Sequence, residues 1–276
     1  MEPAVVRLLR CPHCGDVLRQ VEQALRCRAG HTFDVARQGY VNLLSGATRL
    51  RGDTTAMVAA RETFLAAGHY TFLADAVAMA CRDIAAEGCI VDVGAGTGYY
   101  LAAALNQAPE RIGLAIDLSK HAARRAARAH PRIDAVVADA WGELPVMSGS
   151  AAAVLSIFGP RNPTEMRRLL HGGGALVAVV PTADHLHELV DEFDLLTVDA
   201  DKQEHVDAKL ASEFMPAARK SFQRQLALAA ADVKALVQMG PSAWHTDETA
   251  LTSRVERLTE PFHVTASCIV TVYRPR

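Results

Sequence analysis

The chain has 276 residues, half of them apolar and 22% charged, with a formal net charge of −2. That length buries a sizeable core in one or two domains, and the near-neutral balance excludes a surface that binds nucleic acid by bulk charge. No apolar run approaches the ~18 residues of a membrane span, and the start, MEPAVVRLLRC, lacks the apolar stretch and cleavage site of a signal peptide. The cytoplasm is the expected compartment.

In chain order, the stretch to Leu44 reads as short β-ribbons, DVLRQ and then QALRCRAGHTFDV. A module this small does not bury enough apolar surface to fold without a metal or a partner. The pattern Cys11-x2-Cys14-x12-Cys27-x3-His31 provides for one. Two knuckles with sulfur and nitrogen donors complete a tetrahedron, which suits zinc, and four protein ligands leave no open position, so the zinc is structural. His13, between the first two cysteines, is expected at the surface. Cys81, Cys89 and Cys268 lie in apolar surroundings and read as buried small hydrophobes. Residues 1–52 hold eight arginines against Glu2, Asp16, Glu22 and Asp34, a basic end joined to an acidic body.

SGATRLRGD (45–53) has no periodicity and reads as a connection. Over residues 54–82, Met57, Ala60, Phe64 and Leu65 share one helix face, Gly68 breaks the pattern, and Leu73, Val77, Ala80 and Cys81 continue it on a second helix. CIVDVGAG (89–96) is a buried strand running into glycines, followed by the helix GYYLAAALNQA. RIGLAIDLS (111–119) is the next strand and KHAARRAARAH the next helix; IDAVVADA (133–140), AAAVLSIFG (151–159) and GALVAVVP (174–181) add three strands. This alternation predicts an α/β fold with a doubly wound parallel sheet. EFMPAARKSFQRQLALA fits a strand or an amphipathic segment. AADVKALVQMG (230–240) is a helix stopped at Gly240-Pro241, and FHVTASCIVTVYRP (262–275) is a strand expected at the sheet edge. The expected organisation is a zinc-binding module (1–44), a linker and helical segment (45–85) and an α/β domain (86–276).

The glycine turn after the first long strand spaces Gly94, Gly96 and Gly98 alternately, with Asp92 two residues ahead. A dinucleotide fingerprint has G-x-G-x-x-G; the compact form here resembles the binding loop of S-adenosylmethionine-dependent methyltransferases. Asp117 closes the next strand, where an acid accepts from both ribose hydroxyls. Asp139 follows the third strand, where such enzymes contact the adenine amino group. Lys120, Arg124, Arg128 and Arg132, with Arg125 beside them, trace a basic helix stripe that suits either a solvated face or RNA phosphates. Trp244 in MGPSAW falls in a loop and suits either packing or base stacking.

The zinc knuckle, HTFDVARQGYVNLL, RGDTTAMVAARETFLAAGHY, VDVGAGTGYY and QMGPSAW together resemble the bacterial 23S rRNA guanine-N1 methyltransferases, a family that includes the tylosin-resistance type. The resemblance covers essentially the whole chain in the same order. It implies a Rossmann-like class I methyltransferase body, S-adenosylmethionine as co-substrate, one structural zinc, a 23S rRNA hairpin as partner and a homodimer. It places zinc on Cys11, Cys14, Cys27 and His31, and cofactor contacts on Tyr70 of AGHY, Gly96, Thr97 and His185 of PTADHLHEL. Thr97 stands where some members carry an acid, and Asp139 is an acid that not every member has.

Guanine N1 lies on the Watson–Crick edge, so the target must be unpaired or flipped out. SIFGPRNP (156–163) is where the acceptor base is expected, without the Asn/Asp-Pro-Pro-aromatic motif of many adenine amino-methylating enzymes. No side chain stands out as general base. Two other readings share parts of the pattern. A small-molecule methyltransferase needs the loop and acids but not the zinc module; a non-enzymatic zinc-ribbon RNA-binding protein is expected to have lost Asp117 or a glycine, and this chain keeps both.

Overall fold

The computed structural model describes residues 1–46, 50–193, 195–244 and 247–276; residues 47–49, within the expected 45–53 connection, lie outside these. A short helix α1 (Pro3–Val6) precedes strands β1 (Arg19–Val21), β2 (Ala24–Arg26) and β3 (Thr32–Asp34), which form an antiparallel ribbon. Strand β4 (Tyr40–Asn42) then leaves the ribbon and pairs in parallel at one edge of the main sheet.

The N-terminal module is fastened to the body by more than this strand. Leu9 bridges Val146, the Arg10 amide donates to the Pro145 carbonyl at 3.1 Å, and the Met147 amide donates to the Leu8 carbonyl at 2.7 Å. Val5, Leu9, Leu18, Leu25 and Leu43 share one buried cluster with Val91, Leu114 and Val136. Each fully buried aliphatic side chain contributes about 1.5–3 kcal/mol, so module and body have a common core.

Helices α2 (Thr55–Ala66) and α3 (Thr71–Arg82) follow. The Thr54 hydroxyl caps α2, accepting from the Met57 amide at 3.2 Å, and the chain bends by 87° between the two helices. Among the described residues, no single helix is long and apolar enough to cross a membrane.

The expected alternation then appears as β5 (Cys89–Val93), α4 (Tyr99–Asn106), β6 (Gly113–Asp117), α5 (Lys120–Ala129), β7 (Ile133–Val137), β8 (Ala151–Ile157), α6 (Pro163–Leu169) and β9 (Leu170–Pro181). Strands β5, β7 and β8 are buried along their whole length, as parallel strands covered on both faces require. After β9 come α7 (His187–Phe193), α8 (Lys202–Leu210), β10 (Phe214–Leu228), α9 (Ala230–Gln238), a 3-10 turn (Pro241–Trp244) that carries Trp244, α10 (Glu248–Val255) and β11 (Phe262–Pro275).

Among the described residues the sheet order is β10-β11-β9-β8-β5-β6-β7-β4. Pairing is parallel from β4 through β9 and antiparallel at β11 and β10, so the sheet is mixed where the alternation predicts a parallel one. The segment that fits a strand or an amphipathic segment is the strand β10. The expectation that residues 262–275 form the edge is corrected: β11 lies inside, between β9 and β10. Its apolar and β-branched residues are mostly buried, whereas β10 exposes most of its polar side chains, as an edge in water does.

The basic stripe is also revised. Lys120, Arg124, Arg125 and Arg128 are exposed, with Arg125 paired to Glu62 at 3.2 Å. Arg132 turns inward instead and donates to the carbonyls of Leu105, Ala108 and Arg111, in and after the last turn of α4.

From β5 the connections run outward to β6 and β7, and from β8 they run the other way to β9. The direction reverses between β5 and β8, and a crevice opens beyond the carboxyl ends of strands at such a point.

Candidate active site and zinc centre

A cleft of about 660 Å³ occupies this switch point. Its floor is the turn from β5 into α4. Gly94 has φ +79°, and a Cβ there would lie 2.8 Å from Pro160 Cδ, so only glycine fits against the turn after β8. A Cβ on Gly96 would stand 3.3 Å from Arg61 Nη1. Gly94, Gly96 and the buried Thr97 line the cleft. Gly98 is turned the other way: its Cβ position is 3.0 Å from Ala126 Cα, so it permits close packing of α4 on α5.

Three acids reach the cleft from three successive strand ends. Asp117 Oδ2 accepts the Gly96 amide at 2.8 Å and Oδ1 accepts the Ser119 amide at 2.8 Å. These bonds fix the carboxylate and leave each oxygen a second lone pair. Asp92 is buried, and its Oδ1 has no hydrogen-bond partner among the described residues. Burial, reinforced by the charge of Asp117, pushes its carboxyl up to about 8. Asp139 Oδ1 accepts the Trp141 amide at 2.9 Å in a tight turn.

The opposite wall carries Tyr70 and His185. The Ser267 amide donates to His185 Nδ1 at 3.1 Å, which puts the ring proton on Nε2, 3.4 Å from the Tyr70 hydroxyl. Burial holds His185 down to about 4, so the ring is neutral near pH 7. The structure thus brings Tyr70, Asp92, Gly94, Gly96, Thr97, Asp117, Asp139 and His185 to one cleft and leaves Gly98 outside it.

A buried carboxyl with Oδ1 unpartnered among the described residues, a fixed carboxylate beside open backbone, and a third acid at Asp139 suit a ligand with a cationic amine, a diol and an amine-bearing aromatic base. S-adenosylmethionine has all three. A dinucleotide would instead need its pyrophosphate against these acids, which like charge disfavours.

The other centre lies in the N-terminal module. The ligand atoms of Cys11, Cys14, Cys27 and His31 all fall within 4.8 Å of one another. Cys14 Sγ is 3.7 Å from Cys27 Sγ, and His31 Nδ1 is 3.3 Å from Cys27 Sγ and 3.5 Å from Cys11 Sγ. A tetrahedral zinc with ordinary bond lengths spaces its ligands ~3.8 Å sulfur to sulfur and ~3.6 Å sulfur to nitrogen. The donor set fits the ion, and His13 is exposed beside it, stacked on Phe33. Cys81, Cys89 and Cys268 are buried as expected.

Further side chains that the sequence pattern does not single out line the cleft, among them Arg61, Trp141, Phe158 and Arg161. Arg61 pairs with Asp53 and donates to the Met239 carbonyl at 2.8 Å, fastening α2 to the end of α9 above Gly96. Its signal is a charge set among the apolar positions Met57, Ala60 and Phe64. Trp141 and Phe158 are large and exposed, and Arg161 is buried. Phe158 and Arg161 fall inside SIFGPRNP, so the segment was legible and the individual residues were not.

Comparisons with known proteins agree with both centres. A family model described as RlmA, N-terminal, a zinc ribbon, matches residues 9–46, and one described as a methyltransferase domain matches residues 90–174. The chain is 48% identical over 278 residues to the 23S rRNA (guanine(748)-N(1))-methyltransferase of Streptomyces fradiae, spanning 100% of this chain and 99% of that one. It is 48% identical over 294 residues, all of both chains, to a Micromonospora griseorubida protein named as a 23S rRNA (guanine-N(1)-)-methyltransferase. A solved Bacillus halodurans C-125 protein described as a methyltransferase superposes with TM-score 0.50 at 16% identity, over 72% of this chain and 97% of that one. At that identity the likeness concerns the fold alone.

Proposed function

The chain belongs to the 23S rRNA (guanine-N1)-methyltransferase family, and from that premise we propose that it methylates N1 of a guanine in a 23S rRNA hairpin, the guanine that its Streptomyces fradiae relative modifies at 748. The observation that most supports this reading is the unpaired Asp92 oxygen at the cleft wall, beside an Asp117 already fixed by the glycine loop. The same chain carries a zinc cluster that a small-molecule enzyme does not need.

S-adenosylmethionine supplies an electrophilic methyl group on a sulfonium. The residues around it bind and orient. Asp117 accepts from the ribose hydroxyls, Asp139 from the adenine amine, and Asp92 faces the methionine ammonium. Tyr70 and His185 close the opposite wall, and Gly94, Gly96 and Thr97 let backbone approach. Holding the methyl and N1 in line removes much of the entropic barrier.

The zinc ribbon folds the arginine-bearing end of the chain. Arg26, Arg28 and Arg37 are exposed on it and face phosphates of the hairpin in this reading. The body remains acidic. The enzyme acts as a cytoplasmic homodimer, and its product lowers sensitivity to tylosin-type macrolides.

Primer extension on 23S rRNA tests the reaction, because a methyl on N1 blocks Watson–Crick pairing and stops the polymerase. The reading requires one strong stop at a hairpin guanine that depends on protein and cofactor. Methyl transfer to small molecules without such a stop would replace it with the small-molecule alternative.

A further inference from the structure

We propose that Arg161 receives the target guanine, donating to O6 and holding the negative charge that reaches this atom as N1 gives up its proton. This rests on the methyl-transfer reading above and adds to it the group that selects and activates the base.

Arg161 stands four residues beyond the end of β8. The turn that carries it is pressed against the cofactor loop: a Cβ on Gly159 would lie 2.9 Å from the Val93 carbonyl, and Pro160 closes on Gly94. Phe158 begins this turn with φ +52°, a backbone state that a bulky residue rarely adopts, and the residue is 40% exposed. Strain of this kind persists where the surrounding structure enforces it. The turn therefore presents an aromatic face and a guanidinium to the same cleft.

Arg161 is only 9% exposed. Nη2 donates to the Val179 carbonyl at 2.8 Å, and the buried Nε has no hydrogen-bond partner among the described residues. A buried charge without a partner is costly, and removal from water pulls its pKa down. Arginine nevertheless stays protonated.

The groups around it do not relieve this cost. Tyr273 approaches from β11, but its hydroxyl donates to Asp207 at 2.6 Å. Asp207 is held by Arg219 at 2.6 and 2.8 Å and by Gln203 at 3.0 Å. Lys202 at the start of α8 adds a second positive charge to the cleft, while His185 is neutral. The cleft is thus lined by a buried cation that, among the described residues, forms no ion pair.

Guanine supplies the missing acceptor. Its O6 and N7 match two donors of an arginine fork, whereas adenine offers an amino donor in place of O6. Loss of the N1 proton to water leaves a charge shared between N1 and O6. N1 then forms its bond to the methyl carbon while the carbon–sulfur bond breaks and its electron pair stays on sulfur. Arg161 at O6 stabilises the anion before that step and selects guanine over adenine.

The test is methyl transfer to hairpin RNA by wild type, Arg161→Met and Arg161→Lys, across neutral to alkaline pH. Arg161→Met should lose about 100-fold in kcat, as when an oxyanion donor is removed, with cofactor affinity unchanged. Its rate should climb to higher pH than that of wild type, because the bound guanine now loses its proton less readily. Arg161→Lys should lie between the two and carries the test if Arg161→Met fails to bind cofactor. A loss without displacement of the pH profile, or no loss, would reduce Arg161 to a tie to Val179 and overturn the proposal. Failure of wild type to produce any guanine stop is a different result and refutes the underlying reading instead.

Discussion

Asp117 Oδ2 accepts the backbone amide of Gly96 at 2.8 Å, so the acid at the end of β6 fixes the glycine turn at the end of β5. Replacing it removes a charged acceptor and frees the loop together. Hydrogen bonds to charged groups contribute roughly 1.5–3 kcal/mol each. Asp117→Ala should weaken S-adenosylmethionine binding at least about tenfold in calorimetry, since 1.4 kcal/mol is a factor of ten. Unchanged affinity would take Asp117 out of the cofactor site.

Asp92 gives a pH signature. Its carboxyl titrates at about 8 in the folded protein because it is buried and close to the charge of Asp117, against ~3.9 when unfolded. Between those values the folded state holds a proton that the unfolded state has lost, so stability falls as pH rises from about 4 to about 8 and levels off above. Asp92→Asn should flatten this part of the stability curve. A cationic amine placed beside Asp92 should also expel the proton, so cofactor binding near neutral pH should release protons and its heat should depend on the buffer. A buffer-independent heat would mean that Asp92 does not meet the amine.

The zinc centre is tested by composition and by melting. Protein purified without chelator should contain one zinc per chain, and Cys27→Ser should lose it. In isolated zinc-finger peptides the metal contributes an apparent ~10–16 kcal/mol coupled to folding. Because Leu9, Leu18 and Leu25 share a core with β5, β6 and β7, the loss should lower the melting temperature of the whole chain. A metal-free wild type that melts normally would remove the zinc from the account.

Much of this was legible in the sequence, for physical reasons that differ by element. Strands β5 to β9 declared themselves because both faces are buried, so their apolar runs carry the signal alone. The zinc ligands did so because two spaced pairs of donors have few other uses. Strand β4 is not legible, because it leaves the ribbon and pairs with the distant β7. The position of β11 was misjudged because pairing partners are long-range: its own pattern says strand, and only the polar β10 shows which of the two meets solvent. Arg132 matches the stripe by spacing, yet it lies beyond the end of α5, where the chain turns it toward carbonyls at the end of α4 and just after it. The burial of Arg161 in the turn after β8 depends on the packing of that turn, which no local pattern encodes.

The basic end should act through phosphates. Arg26 and Arg28 are exposed on the zinc module, and each phosphate contact contributes about 0.7–0.9 to the slope of log affinity against log salt. Arg26→Ala with Arg28→Ala should weaken binding to the hairpin and flatten that slope by up to about two such contacts. Cofactor affinity should stay the same. An unaltered salt slope would place the RNA on another face.

The central claim is that one chain combines the zinc module with a cleft that methylates guanine N1. The most direct measurement is primer extension on a 23S rRNA hairpin incubated with wild-type protein, with and without S-adenosylmethionine. The account predicts one strong stop at a single guanine, present only with cofactor and lost in Asp117→Ala at limiting cofactor. Binding of the hairpin with no stop at any guanine, cofactor or not, would contradict it.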